Sequence, residues 1–213
     1  MLKIKLNQNM YLDKKNMYKY RYAQFDEGLT VLVGCNGSGK TTMLTQIAKY
    51  CDKEKIKYLE YDNLNDGGKD AMQSFHNFDE MSEFSQYLIS SEGERISQNI
   101  CRIARNIGRL VSRAMPEEKI VVLFDAVDSG LSIDGIMDIK KHLIYFACDD
   151  AKKRGVEIYF IVAANSYELA SNEDCLCVRN GKHRIFKSYN SYKSEILRSY
   201  REKMERYDFD PQL

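Results

Sequence analysis

Eight consecutive residues restrict what this chain can become more than any other feature. Gly34-Cys35-Asn36-Gly37-Ser38-Gly39-Lys40-Thr41 satisfies the pattern G-x-x-x-x-G-K-[ST] in full. The apolar run Leu29 to Val33 precedes it, and Met43, Leu44, Ile47 and Ala48 follow at helical spacing. A strand–loop–helix unit of this kind cradles phosphate. Its glycines let backbone N–H groups turn inward without Cβ clashes, and the helix N-terminus adds partial positive charge. Lys40 is expected to be solvent-facing in the empty loop and to hold β- and γ-phosphates; the Thr41 hydroxyl is expected on Mg2+.

A metal partner for that hydroxyl is also legible. Ile120 to Phe124 is a continuous apolar run, as in a strand covered on both faces, and it ends in Asp125. Asp125 reads as the Walker B aspartate. Thr41 and Asp125 are thus the expected metal residues.

The remaining sequence supplies a sheet around this unit. Leu2, Ile4 and Leu6 alternate with Lys3 and Lys5, and Tyr18, Tyr20 and Tyr22 alternate again, which predicts two N-terminal strands. Ile56 to Tyr61 reads as a strand ending at Asp62-Asn63, and Asp66-Gly67-Gly68 as a turn. Ile96, Ile100, Ile103, Ile107 and Leu110 mark a long helix closed by Pro116. A second helix is predicted from Ile133 to Ala147, a buried strand over Ile158 to Ala163, and a charged helix over Ser191 to Tyr207. Cys175–Val178 and His183–Phe186 flank Asn180-Gly181, a pair suited to a type I′ hairpin turn. Strand–helix alternation in the middle predicts an α/β fold with a mainly parallel sheet and helices on both faces.

Composition narrows the classes. The 213 residues suit a single domain, and 44% hydrophobic with 30% charged residues allow a core. Its expected parts are a basic β region over 1–28, a helical lobe over 62–115 and a C-terminal helix over 190–213. Net charge is +1, yet the first 22 residues carry six Lys and Arg against Asp13 alone, a local excess of five. Six cysteines include no C-x-x-C pair, and three histidines complete no zinc pattern. Cys175 and Cys177 would share one strand face as buried thiols. No secretory h-region and no apolar run near 20 residues are present, so a reduced, cytoplasmic protein without membrane contact is expected.

Three segments together resemble the ABC-type ATPase superfamily, in its soluble RecF and structural-maintenance-of-chromosomes branch. They are Asn36-Gly37-Ser38-Gly39-Lys40-Thr41-Thr42, the D-loop-like Asp128-Ser129-Gly130-Leu131-Ser132, and Ser91-Glu92-Gly93-Glu94-Arg95, which is similar to a degenerate Ser-Gly-Gly-Gln signature. The likeness covers roughly residues 25–170 and extends to small stand-alone ATP-binding proteins of bacteriophages and their hosts. It implies a P-loop NTPase fold, an ABC-type head with antiparallel N-terminal strands. It also implies bound ATP and Mg2+, and an ATP-sandwiched homodimer in which Ser91 and Gly93 of one protomer contact the γ-phosphate held by the other. The implied nucleotide contacts are Gly34, Asn36, Gly37, Ser38, Gly39, Lys40, Thr41 and Thr42, with Ser91 and Gly93; the implied catalytic set is Lys40, Asp125, Asp128 and Asn165.

The departures bear on rate. Ala126 stands where the family has its catalytic Glu, and Asn165 where it has a switch histidine. No glutamine marks the Q-loop, and Asp62 or Asn63 is the expected substitute there. General-base catalysis contributes about 10²–10⁴-fold, so slow hydrolysis is expected unless Asp128 substitutes. The setting the resemblance implies is DNA metabolism, with nucleic acid or a partner protein as further partners. Arg95, Arg102, Arg105, Arg109 and Arg113 on the long helix form either a solvated face or such a surface. A non-hydrolysing nucleotide sensor or regulatory protein is the alternative, favoured by Ala126. A transporter subunit is disfavoured by the missing Q-loop glutamine, and a small-molecule kinase by the absence of an arginine-rich lid.

Overall fold

A computed structural model describes residues 1–8, 16–62 and 92–206. The predicted turn at Asp66-Gly67-Gly68, Asn63 and the signature serine Ser91 lie outside the described residues. Strands β1 (Leu2–Lys5) and β2 (Tyr22–Phe25) form an antiparallel ribbon. Next come β3 (Gly28–Val33), helix α1 (Lys40–Glu54), β4 (Lys57–Asp62), α2 (Glu92–Arg113) and β5 (Lys119–Asp125). Then follow α3 (Ile133–Asp138), a π-helical segment (Ile139–Tyr145), α4 (Phe146–Lys153) and β6 (Glu157–Ala163). The short α5 (Tyr167–Ala170), the hairpin β7 (Asp174–Cys177) and β8 (Lys182–Ile185), and α6 (Tyr189–Arg206) complete it.

Six strands make one sheet in the order β4-β5-β6-β3-β7-β8, parallel except for β8. This is the mainly parallel α/β core that strand–helix alternation predicts. Successive residues of a strand point to opposite faces, so each face has its own core. Ile120, Val122, Phe124, Phe160 and Val162 pack with Ile103, Ile107, Ile144 and Ala147 on one side. Val121, Leu123, Tyr159 and Ile161 pack on the other with Met43 and Ile47 of α1 and with Leu2, Ile4 and Phe25 of the ribbon. Parallel strands buried on both faces read as unbroken apolar runs, which is why β5 and β6 were plain in the sequence. Cys175 and Cys177 do share one buried face.

Four local expectations are corrected. The second ribbon strand is Tyr22–Phe25, not Tyr18–Tyr22. Tyr18 instead turns its hydroxyl onto the Gly39 carbonyl at 3.0 Å, and the Tyr20 ring lies against Gly181. The long helix starts at Glu92, so Gly93 sits inside its first turn rather than before it. The helix predicted from Ile133 to Ala147 is continuous in direction but carries the π-helical segment. There Lys140, buried, reaches the Ser171 carbonyl at 2.8 Å and Glu173 at 2.7 Å. The β7–β8 connection spans Val178 to Gly181, and only Gly181 takes a positive φ, 71°. A type I′ turn needs positive φ at both central residues, so this longer loop is not one.

Candidate functional site

The phosphate loop leaves the C-terminal end of β3 at the middle of the sheet, where open α/β sheets present ligands. Gly37 (φ 72°) and Gly39 (φ 104°) occupy the left-handed region, which side chains resist. Gly39 is the N-cap of α1 and makes no side-chain cap bond, so the first amides of that helix have no capping side chain. Ser38 is buried and its Oγ lacks a hydrogen-bond partner among the described residues. A buried hydroxyl without a partner and uncapped helix amides suit an anion in the loop.

Lys40 is not solvent-facing. It is 8% exposed, and its Nζ donates to the Gly34 carbonyl at 2.8 Å. Burial lowers its pKa, while Cys35, Asp125 and Asp128 nearby oppose the shift. Thr41 is exposed and Thr42 half-buried, both in the first turn of α1.

Asp125 ends β5 as predicted and sits beside Thr41, whose hydroxyl donates to it. Burial raises the Asp125 pKa; the Thr41 bond pulls it back, and Asp62 pushes it further up. Asp62 is the register partner of Asp125 on β4, so two carboxylates meet at adjacent strand ends. A hydroxyl and hard carboxylate oxygens side by side match the donor chemistry of Mg2+.

Asp128 plays a part that its place in a D-loop-like segment did not predict. It is 8% exposed, and its Oδ2 accepts the backbone N–H groups of Asn165 (2.7 Å) and Ser166 (2.5 Å). Its Oδ1 is buried without a hydrogen-bond partner among the described residues. The carboxylate therefore ties the loop after β5 to the loop after β6. Ala126, directly after Asp125, has φ 52° and donates its N–H to Ala163. Asn165 is exposed, and its carbonyl accepts the Tyr192 hydroxyl at 2.9 Å.

Helix α6 was predicted as a helix, but its place was not legible in the sequence. It lies over the loop: Ser199 Oγ accepts the Cys35 N–H at 3.2 Å, and Lys203 Nζ donates to the Asn36 carbonyl at 3.0 Å. A Cβ on Gly37 would stand 3.0 Å from Lys203 Nζ. Glu202 in turn pairs with Lys19 at 3.2 Å and lies near Arg179, which donates to the Met17 carbonyl. Tyr18 and helix α6 thus both hold the loop. A cleft of about 540 Å³ opens beside it, between Asn36, Asn165 and the α6 residues Tyr192 and Lys193. Residues 164 positions apart in sequence leave no periodic signal of their contact. Among the expected site residues, Gly34 through Thr42 and Asp125 are gathered here; Ser91 is outside the described residues, and Gly93 belongs to α2.

A family model, the ATPase family associated with various cellular activities (AAA), matches residues 30–187. That span runs from β3 through the β7–β8 hairpin. No curated protein matches the chain. Among the described residues no helix is long and apolar enough to cross a membrane.

Proposed function

The chain belongs to the ATPase family associated with various cellular activities (AAA), and from that membership we propose an ATP-binding protein that hydrolyses Mg-ATP slowly. The observation that carries the proposal is the pairing of a complete phosphate loop with the Thr41–Asp125 contact across the sheet end. Lys40 would leave the Gly34 carbonyl for the β- and γ-phosphates. The amides of Gly37 to Thr42 would wrap the same anion. Thr41 and Asp125 would hold Mg2+, which, when bound, screens charge on the phosphates. Asp128 orders the segment carrying Asn165, so Asn165 acts from a fixed loop.

Hydrolysis is slow in this reading because the residue after Asp125 is Ala126, whose methyl group can neither accept a proton nor orient water. The resemblance to ABC-type RecF-like proteins supports a finer proposal: an ATP-sandwiched homodimer closed through Ser91 and Gly93, reopened by hydrolysis, and serving DNA metabolism. Ala126 and Asn165 favour a second reading, a nucleotide sensor in which ATP is bound and not turned over.

Lys40→Ala tests the core of the proposal. Calorimetric titration with Mg-ATP should show loss of binding while circular dichroism stays native. Wild-type affinity in the variant would overturn the assignment. Steady-state phosphate release by the native protein separates a slow ATPase from a sensor.

A further inference from the structure

A second cleft, of about 700 Å³, lies away from the phosphate loop, between the β1–β2 ribbon and the C-terminal half of α1. Lys3, Lys5 and Tyr22 line it from the ribbon, and Lys49, Tyr50 and Lys53 from the helix. No aspartate or glutamate is among its described lining residues, in a chain whose overall charge is only +1. The Lys3 ammonium stands 5.0 Å from the centroid of the Tyr22 ring, which is 50% exposed.

The arrangement is built rather than incidental. Leu2 and Ile4 face the core, and the strand's period of two therefore sends Lys3 and Lys5 outward. Lys5 is the register partner of Tyr22. On α1, Lys49 and Lys53 are four apart and share a face. The floor is bolted: Gln46 is buried, accepts the Asn7 N–H at 2.6 Å and donates to the Asn7 carbonyl at 3.2 Å. Lysines that only protect a ribbon edge would explain Lys3 and Lys5. They would not explain Lys49 or the two tyrosines, whereas Lys53 also sits in the last turn of α1, 3.9 Å from Glu54.

We propose that this cleft binds single-stranded nucleic acid, with Lys3, Lys5, Lys49 and Lys53 on backbone phosphates and the Tyr22 ring stacked on a base. Lysines two apart on a strand are about 6.7 Å apart, and four apart on a helix about 6 Å. Both match the stride of an extended nucleotide backbone. An exposed ring needs a free base face, which a single strand offers and a duplex does not. The proposal gives the nucleic-acid setting suggested above a specific surface, and it rests on that setting, not on hydrolysis.

The test uses the full chain without nucleotide and a fluorescently labelled oligothymidylate, read by anisotropy. Binding should weaken with salt at a log–log slope of roughly −2 to −3, since each neutralised phosphate contributes about 0.7 on single strands. Lys5→Gln with Lys49→Gln, both exposed, should reduce the slope by about 1.4 and the affinity by about tenfold or more. Tyr22→Ala should weaken binding about tenfold, and Tyr22→Phe should keep it. No binding at low salt overturns the proposal, as does binding indifferent to the lysine pair. If inorganic polyphosphate or anionic vesicles bind as well as the oligonucleotide, and Tyr22→Ala changes nothing, the cleft is a general anion surface and the proposal is wrong. ATP titration of the same sample keeps the two readings apart: intact ATP binding without oligonucleotide binding removes only this one.

Discussion

Asp125 and Lys40 each carry a charge that burial opposes, and the sign of that opposition can be measured. The Asp125 carboxyl titrates above its ordinary value in the folded protein because of burial. The native state therefore holds its proton longer than the unfolded chain. Stability falls as pH rises from the unfolded value through the raised native one, and at pH 7 the carboxylate is a cost. Asp125→Asn should raise the melting temperature at pH 7 without metal, with the gain over wild type shrinking near pH 4. The same variant should lose Mg2+-dependent nucleotide affinity. Paired melts and titrations check both halves. Ala126 bears on turnover. Ala126→Glu should speed phosphate release by about tenfold or more, the usual worth of a positioned base. The backbone there is already left-handed, so glutamate enters a conformation alanine holds at φ 52°. Asp128→Asn in the same assay tests whether that carboxylate, which binds two amides in this structure, also serves the water. Residual activity surviving Asp128→Asn excludes it as the base. The places of Gly37, Gly39 and Asp125 in the strand–loop–helix unit and at the end of β5 were legible because each belongs to a contiguous pattern. The amide contacts of Asp128 were not, since Asn165 is 37 residues away.

Among elements, β3, α1, β5 and β6 were legible from unbroken apolar runs and helical spacing. The N-terminal ribbon was legible in kind but not in extent, because Tyr18 and Tyr20 alternate like a strand while packing against Gly39 and Gly181. The π-helical segment carries no periodic mark distinct from an α-helix. Helix α6 was legible as a helix but not as the clasp of the phosphate loop. Ser199→Ala tests that clasp. It leaves the Cys35 amide without its acceptor in a buried place, at about 1–3 kcal/mol. At roughly 2–4 °C per kcal/mol for a chain of this size, the melting temperature should fall by about 2–12 °C. An unchanged melting curve would mean that the Ser199–Cys35 bond does not stabilise the fold.

For the whole molecule, the proposed dimer makes a distinct prediction. A ligand shifts an association equilibrium only if it contacts both partners more favourably than one alone. Mg-ATP should therefore convert monomer to dimer in gel filtration, and Ser91→Arg should block the conversion while nucleotide binding to the monomer persists. A monomer indifferent to nucleotide would refute the sandwich and leave the ATP site untouched. The general plan of the molecule, a parallel sheet with helices on both faces, was within reach of the sequence because strand–helix alternation permits few other arrangements. The order of its strands was not, since pairing is decided between residues far apart. One long-range contact also sets a biosynthetic delay. Cys35 and its clasp Ser199 are separated by 164 residues. At about 5–20 residues per second, a ribosome makes the phosphate loop roughly 10–30 s before it makes the residue that holds the Cys35 amide. During that interval the nascent chain carries its phosphate loop unfastened, and α6 closes it once made.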